Sequence, residues 1–507
     1  MREAGFLGGL AGCIILVASV GSACGGAAVS GFDKDGGGKD GGGGGGGDAT
    51  HGKDSGVPIL VMDTGTGPEG STACTGIACN VQACSGGGHT TVSGYVYAPN
   101  GTLPLYDVQV FIPNAALVPF TKGVQCENCG APLSGEPIAT ALSDPTGHFV
   151  LTGVPSGANV PIVVQLGKWR RQTSIPMVNG CIDNPLTDPN LTRLPKNQME
   201  GSMPHIALTA GGCDQMGCML PKVGIDPMEF GSQADGYNKA VNVYNGSGGT
   251  AGLGATAAMN LWGDPTVLDT YDEAIFSCEC YEAPDSKGTF GSPSFGVVTD
   301  YLNAGGRIFT TDFQYTWYKF SPDPMIGEAT AGSPLTGLGE IIGGAPGGGS
   351  PMTLVTTIPK AVSLAAWLKN VFSGVPLPSG TTFPLDMFSQ SGEVNPDVMY
   401  ANIQSLDPTK TITWANSPGF SGSAVAPRIF TVDTPVGVAT DKQCGRGVHI
   451  DAHVDNDAAN RVGPGYPSTG CSATLKADEA AFAFFFFDLS SCISDEHMPP
   501  PNPPPVK

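Results

Sequence analysis

Residues 295–313 read "FGVVTDYLNAGGRIFTTDF". The first twelve predict a helix closed by Gly305 at its C-cap, and "GRIFTTDF" predicts the strand that follows. The same alternation runs upstream. "MPHIALTAGG" (203–212), "AVNVYNG" (240–246) and "YDEAIFSCE" (271–279) read as strands, and "GCDQMGCMLPKVGI" (212–225) reads as a helix. Strands alternating with helices predict an α/β domain with a parallel sheet over 200–495, its site at the strand C-termini. A loop- and β-rich insertion at about 320–440 interrupts it. Within the insertion "PKAVSLAAWLKNVF" is helical, and "TKTITWANS" and "APRIFTVDTPVG" are strands. "FQYTWYKF" (313–320) offers aromatics that could line a cleft, with packing as the plainer role. "KADEAAFAFFFFDLSSCI" (476–493) closes the domain as a helix; its Phe run is too short and too flanked by acids to span a membrane, so it belongs to the core.

Ahead of this lies a different pattern. "TTVSGYVYAPNGTLPLYDVQVFIPN" (90–114) alternates as two strands, and "SDPTGHFVLTGVPSG" (143–157) puts Asp, Pro and Gly where a hairpin needs them. With "VPIVVQL" (160–166) they predict a small antiparallel β-sandwich over 91–180. These motifs resemble the carboxypeptidase regulatory-like domain, a transthyretin- or starch-binding-like fold, over about 80 residues. The resemblance implies a spacer, folding aid or binding module without catalytic residues. Tyr95, Tyr97, Tyr106 and Trp169 are its candidate sugar-platform aromatics, each read first as packing. "AALVPFTKGVQCENCGAPLSGEPI" (115–138) is an insertion into the middle loop. The fold class is thus a multi-domain chain, a β-sandwich followed by an α/β domain.

The composition points outside the cytoplasm. Of 507 residues, 75 are Gly and 43 Pro, and 45 acidic against 24 basic side chains leave a formal charge of −21. Such a chain lacks the clustered Lys and Arg that phosphates require, which excludes nucleic acid as a partner; "KWRR" (168–171) is one short patch. Arg2, the apolar run "AGFLGGLAGCIILVASV" and "GSAC" predict an export signal over 1–24. A Gly-rich tether over 25–70 follows. A small–small–Cys ending before such a tether resembles a bacterial lipoprotein, which implies a lipid on Cys24. Gly21 stands where that family prefers Leu or Val, and "LAGC" (10–13) offers Cys13 as the other processed residue, behind a very short signal. Ordinary secretion and an uncleaved anchor are the remaining readings. The chain is therefore expected at the outer membrane or cell surface by lipid anchor, otherwise extracellular. A Pro-rich tail closes it over 496–507.

Of fifteen cysteines, Cys13 and Cys24 belong to the leader. The others are Cys74, Cys79, Cys84, Cys126, Cys129, Cys181, Cys213, Cys218, Cys278, Cys280, Cys444, Cys471 and Cys492. In an oxidising compartment these are disulfide candidates. Their number is odd, so at least one thiol stays free or pairs elsewhere, and spacing does not set the connectivity. Cys74, Cys79 and Cys84 lie in a Cys-rich segment over 71–90. Cys126-x-x-Cys129 lacks the second pair that zinc requires, and is expected to brace the loop that contains it.

The pieces "YDEAIFSCE", "VTDYLNAGGRIFTTDF" and "CGRGVHIDAHV" (444–454) are similar to the class I glutamine-amidotransferase-like fold, particularly its trehalose-utilisation-like branch, over about 150 residues. That resemblance places a Cys nucleophile on the turn after "GGRIFTTDF", where this chain carries Asp312 followed by Phe313 and Gln314. Without a thiolate the covalent mechanism cannot run. Cys278 and Cys280 fall where the family supplies oxyanion contacts, and are read as disulfide-bonded. The family's catalytic His would be His449 or His453. In "GVHIDAHVDND" (447–457) His449, Asp451, His453 and Asp455 alternate, so on a strand they share one face. Four such residues span about 20 Å, too far for one ion. At most His453 with Asp451 or Asp455, plus Asp312 from a neighbouring strand, could share a metal. The leading reading is a polar strand face running into an exposed loop, with no cofactor. The expectation is a non-catalytic surface lipoprotein that binds a protein or glycan ligand. Its alternative is an extracellular hydrolase of amide or ester bonds, with or without a metal, built on His453 and Asp312.

Overall fold

The computed structural model describes residues 74–214, 216–289, 291–328, 337–341, 352–371, 402–418, 425–452, 475 and 477–500. The export signal, the tether, Cys13, Cys24, Cys471, His453 and Asp455 lie outside the described residues. The chain is β-rich and built of several sheets, antiparallel and mixed, with helices packed on them. Residues 72–507 form one compact unit.

Seven strands come first: β1 (Thr91–Tyr95), β2 (Gln109–Pro113), β3 (Pro137–Leu142), β4 (His148–Thr152), β5 (Gly157–Leu166), β6 (Trp169–Val178) and β7 (Asp183–Pro185). They form a three-stranded sheet, β4-β1-β7, and a four-stranded antiparallel sheet, β3-β2-β5-β6. Val92, Phe149 and Leu151 from one and Val110, Ile112, Ile162 and Val164 from the other meet in one apolar core. This follows from alternation: a strand with one buried face places every second side chain inward. The smaller sheet is mixed rather than antiparallel, because β7 runs parallel to β1. The Asp183 carboxylate accepts from Thr91 and Ser93 at 2.8 Å each, and Cys181 just before it is bonded to Cys84, so the chain leaving β6 is drawn back along β1.

The larger sheet comprises β8 (Ile206–Ala210), β9 (Phe230–Gly231), β10 (Val241–Asn245), β11 (Glu273–Phe276), β12 (Arg307–Thr311), β14 (Thr353–Leu354), β16 (Ile412–Pro418), β17 (Val425–Thr434) and β18 (Gly445–Ile450). Its order is β14-β16-β17-β18-β12-β11-β8-β10-β9. From β9 through β18 neighbouring strands are parallel. The inserted strands β14, β16 and β17 extend the sheet antiparallel beyond β18. Between β12 and β16 in sequence, β13 (Gly339–Ile341) and β15 (Ile403–Leu406) pair separately. Strands such as "IALTA" and "RIFTT" are buried along their whole length, as parallel strands covered on both faces must be. The helix Pro293–Ala304 ends at Gly305 with φ +118°, and a β-carbon there would lie 2.2 Å from the carbonyl of Gln125. Glycine at 305 therefore serves both the left-handed cap and the close approach of the 115–138 insertion.

The terminal helix Ala477–Leu489 joins the two halves. Phe486 and Phe487 pack on Trp169 at 6.2 and 6.0 Å, and Phe484 packs on Tyr106 of the smaller assembly and on Trp367. Phe485 packs on Trp414 of β16 at 5.0 Å, and Phe482 on Phe309 of β12. A helix apolar on all sides is one buried on all sides. The "KWRR" patch is consumed at the same junction. Lys168 pairs with Asp272 at 2.5 Å, Trp169 donates to Ser490 Oγ, and Arg170 donates to the carbonyl of Val118.

Disulfides tie the halves covalently. Cys126 joins Cys444 and Cys129 joins Cys492, so the two cysteines of the insertion brace it against two separate parts of the α/β half. Cys74–Cys79 and Cys213–Cys280 are further pairs, and Cys218 is also disulfide-bonded. Cys278 departs from the expectation: it keeps its thiol, buried at the end of β11. This disulfide set fits an exported chain. Among the described residues no helix is long and apolar enough to cross a membrane.

Candidate functional site

The C-terminal ends of β11, β12 and β18 converge on a buried polar cluster. Thr310 of β12 pairs in register with His449 of β18, and Thr311 with Ile450, so the next step sets Asp312 beside Asp451. His449 and Asp451 share a face, as their spacing requires, and both are fully buried. The polar face expected of this segment forms, but it is buried: Tyr318 packs on His449 and Asn402 closes over Asp451.

Asp312 occupies the turn between β12 and a short 3-10 helix, Asp312–Tyr315, and holds φ at +40°. A non-glycine residue in that region costs about 1–3 kcal/mol and persists where its surroundings fix it. Here they do. Asn402 Nδ2 donates to Asp312 Oδ1 and to Asp451 Oδ1, both at 2.6 Å, and the Cys278 thiol lies 3.5 Å from Asp312 Oδ2. Asp451 also receives the backbone N–H of Asn402 at 3.1 Å and pairs with Arg428 at 3.0 Å. Burial, and then the charge of Asp312, push the Asp451 carboxyl up to about 7, against the pull of Arg428.

His449 sits apart from this pair. Thr310 Oγ1 donates to the carbonyl of Val448 at 2.9 Å and so takes the Nδ1–H of His449 at 3.0 Å. Nε2 is left as a buried acceptor without a partner among the described residues. Tyr318 and Phe430 flank the ring, and burial pulls its pKa down to about 3. Among the described residues this neutral imidazole is hydrogen-bonded to a threonine and packed between aromatic rings, with no thiol or carboxylate bonded to it. Nearby, Gln314 donates to the carbonyl of Ser277 at 2.8 Å and accepts from Trp317, while Glu279 holds Lys287 in a fully buried ion pair. Three of the aromatics of 313–320 are buried: Tyr315, Trp317 against Trp262, Phe276 and Phe295, and Tyr318 against Phe430.

Asp312, Asp451 and His449 were legible as candidates in the sequence. Asn402, Arg428 and the Cys278 thiol were not, since Asn402 and Arg428 lie in the insertion and carry no motif. Among the described residues no group of three or more His, Cys, Asp or Glu side chains is arranged to hold a metal ion. Trp169 is buried at the junction, and Tyr95 is half-exposed and packs on His148, so these two aromatics do not form one platform.

No family model matches the chain, and no curated protein matches it. Among solved structures it aligns with a chain of a type II cohesin–X-dockerin complex, a C-terminal interface mutant, from Acetivibrio cellulolyticus. The alignment has 17% identity, a TM-score of 0.13, and covers 21% of this chain and 56% of the other.

Proposed function

We propose that this chain is a surface-tethered binding lipoprotein: an anchor on Cys24, a Gly-rich tether, a regulatory-like β-sandwich that meets a protein or glycan ligand, and an amidotransferase-like α/β half that serves as a non-catalytic scaffold. One observation supports the scaffold role above the others. The residue at the elbow is Asp312, and it is sealed at zero exposure with Asn402, Cys278 and Asp451. A nucleophile must reach a substrate carbonyl, and aspartate buried against an amide and a thiol does not. The purified chain should therefore give no turnover on generic amide, ester and peptide substrates, while glycan and peptide arrays should return binding above that of an unrelated β-sandwich. Substrate turnover that disappears in Asp312→Asn would sink the scaffold reading. Arrays without signal would sink the binding reading. For the anchor, fatty-acid label should be lost in Cys24→Ala.

A hydrolase remains the second reading, and what favours it is the Asp312–Asp451 pair. A carboxyl raised to about 7 beside a second carboxylate is how an acid–base pair divides its labour near neutrality. It predicts activity that falls sharply in Asp451→Asn, with a pH profile that moves.

A further inference from the structure

A second site shares no residue with the cluster just described: a cavity lined by Gln109, Gln165 and Arg170. It has a volume of about 420 Å³, within the range of small-molecule sites, and sits between the four-stranded sheet and the 115–138 insertion. Its floor is one row across four strands. Leu142 of β3 pairs with Gln109 of β2, Gln109 with Gln165 of β5, and Gln165 with Arg170 of β6. Paired residues on neighbouring strands share a face about 5 Å apart, so two planar amides and a guanidinium lie side by side. The roof is the insertion, pinned by Cys126–Cys444 and Cys129–Cys492. Phe120 lies 4.1 Å below the Arg170 guanidinium, which also donates to the Val118 carbonyl at 2.7 Å, so the roof is locked onto the floor at that end.

The hydrogen-bond inventory of this cavity is incomplete. Gln165 Oε1 and Ser491 Oγ are buried without a partner among the described residues. Asp107, held at φ +62°, presents a carboxylate at the wall, and burial raises its pKa to about 6. Gln165 Oε1 is thus an unmet buried acceptor with a carboxyl group at the same wall. Leaving a buried acceptor unmet costs about 1–3 kcal/mol, so the matching occupant brings donors. Asp107 and Glu127 oppose an anion and Arg170 opposes a cation, which leaves a neutral molecule with several hydroxyls.

We propose that this cavity is a saccharide site, sized for a neutral mono- or disaccharide whose hydroxyls donate to Gln165, Gln109 and Asp107 and accept from Arg170. The proposal rests on the surface-binding reading above and names its ligand class and place. The full chain would be titrated with neutral sugars (glucose, galactose, mannose, N-acetylglucosamine, maltose, cellobiose, lactose and trehalose) and followed by saturation-transfer NMR and by Tm. Saturation transfer to at least one of them is expected. In Gln165→Leu and in Gln109→Leu affinity should fall tenfold or more, and in Gln165→Leu Tm should hold or rise, because that change removes the amide oxygen that the fold leaves unmet. Val118→Trp, at an exposed roof position, keeps the test open should a floor variant misfold: it narrows the mouth and should weaken binding without touching the floor. Binding unchanged in all three variants would overturn the site, while glycan binding itself still stood. No binding to any neutral sugar, or binding of sugar acids or amines alone, would overturn it as well.

Discussion

Asp312 and His449 show how a polar residue is held in the middle of this protein. Asp312 accepts a left-handed backbone because Asn402 and Cys278 grip its carboxylate. After burial, its charge is what raises Asp451. A carboxyl whose folded pKa lies above its unfolded one keeps its proton while the unfolded chain loses it, so its contribution to stability falls as pH rises from about 4 to about 7. Asp312→Asn keeps the shape, tolerates the backbone and removes the charge. Relative to the native chain it should gain about 1 kcal/mol on going from pH 4 to pH 8, read by urea denaturation at each pH. His449 works in the opposite sense. Its folded pKa of about 3 lies below the ordinary 6.5, so the unfolded chain takes up the proton first, and stability is lost as pH falls between those values. Compared with His449→Gln, the native chain should lose about 1 kcal/mol per pH unit between pH 6 and pH 4. Parallel denaturation curves over that range would refute the assignment.

The element that matters most is the terminal helix Ala477–Leu489, because both halves close on it. Truncating Phe485, fully buried and packed on Trp414 at 5.0 Å, opens a cavity in the core. Phe485→Ala should cost about 3–5 kcal/mol, measured by thermal or chemical unfolding. Beside the helix, Arg446 is buried against Asp433 at 2.7 Å and Glu496 at 2.9 Å, the second a charge contact rather than an aligned hydrogen bond. Replacing Arg446 by Met strands those carboxylates, and a loss of about 3–5 kcal/mol is expected. A neutral effect would mean that the carboxylates take up protons instead.

At the scale of the whole molecule, Cys126–Cys444 and Cys129–Cys492 close loops of 318 and 363 residues. Long loops are where a cross-link removes the most freedom from the unfolded chain. Changing both pairs to Ser should destabilise the chain by several kcal/mol and broaden its unfolding. If the two halves then melt in separate steps, the disulfides were what made them one cooperative unit.

The sequence determined by itself what depends on near neighbours along the chain. The helix Pro293–Ala304 with its Gly305 cap, the strands "RIFTT" and "IALTA", and the burial of the Phe-rich helix follow from period, cap chemistry and composition. So did the alignment of His449 with Asp451, since alternation on a strand needs no partner. Tertiary structure decided the rest. Whether that face met water depended on Tyr318 and Asn402, which pack over His449 and Asp451. Cys278 kept its thiol because Cys213 reached Cys280 instead. Asn402 and Arg428 joined the cluster from segments with no local signal, and the Gln109–Gln165–Arg170 floor exists only in the register of three strands. The physical reason is the same in each case. Local pattern sets which way a side chain points along its own element, whereas a partner far away in sequence is selected only when the whole chain packs.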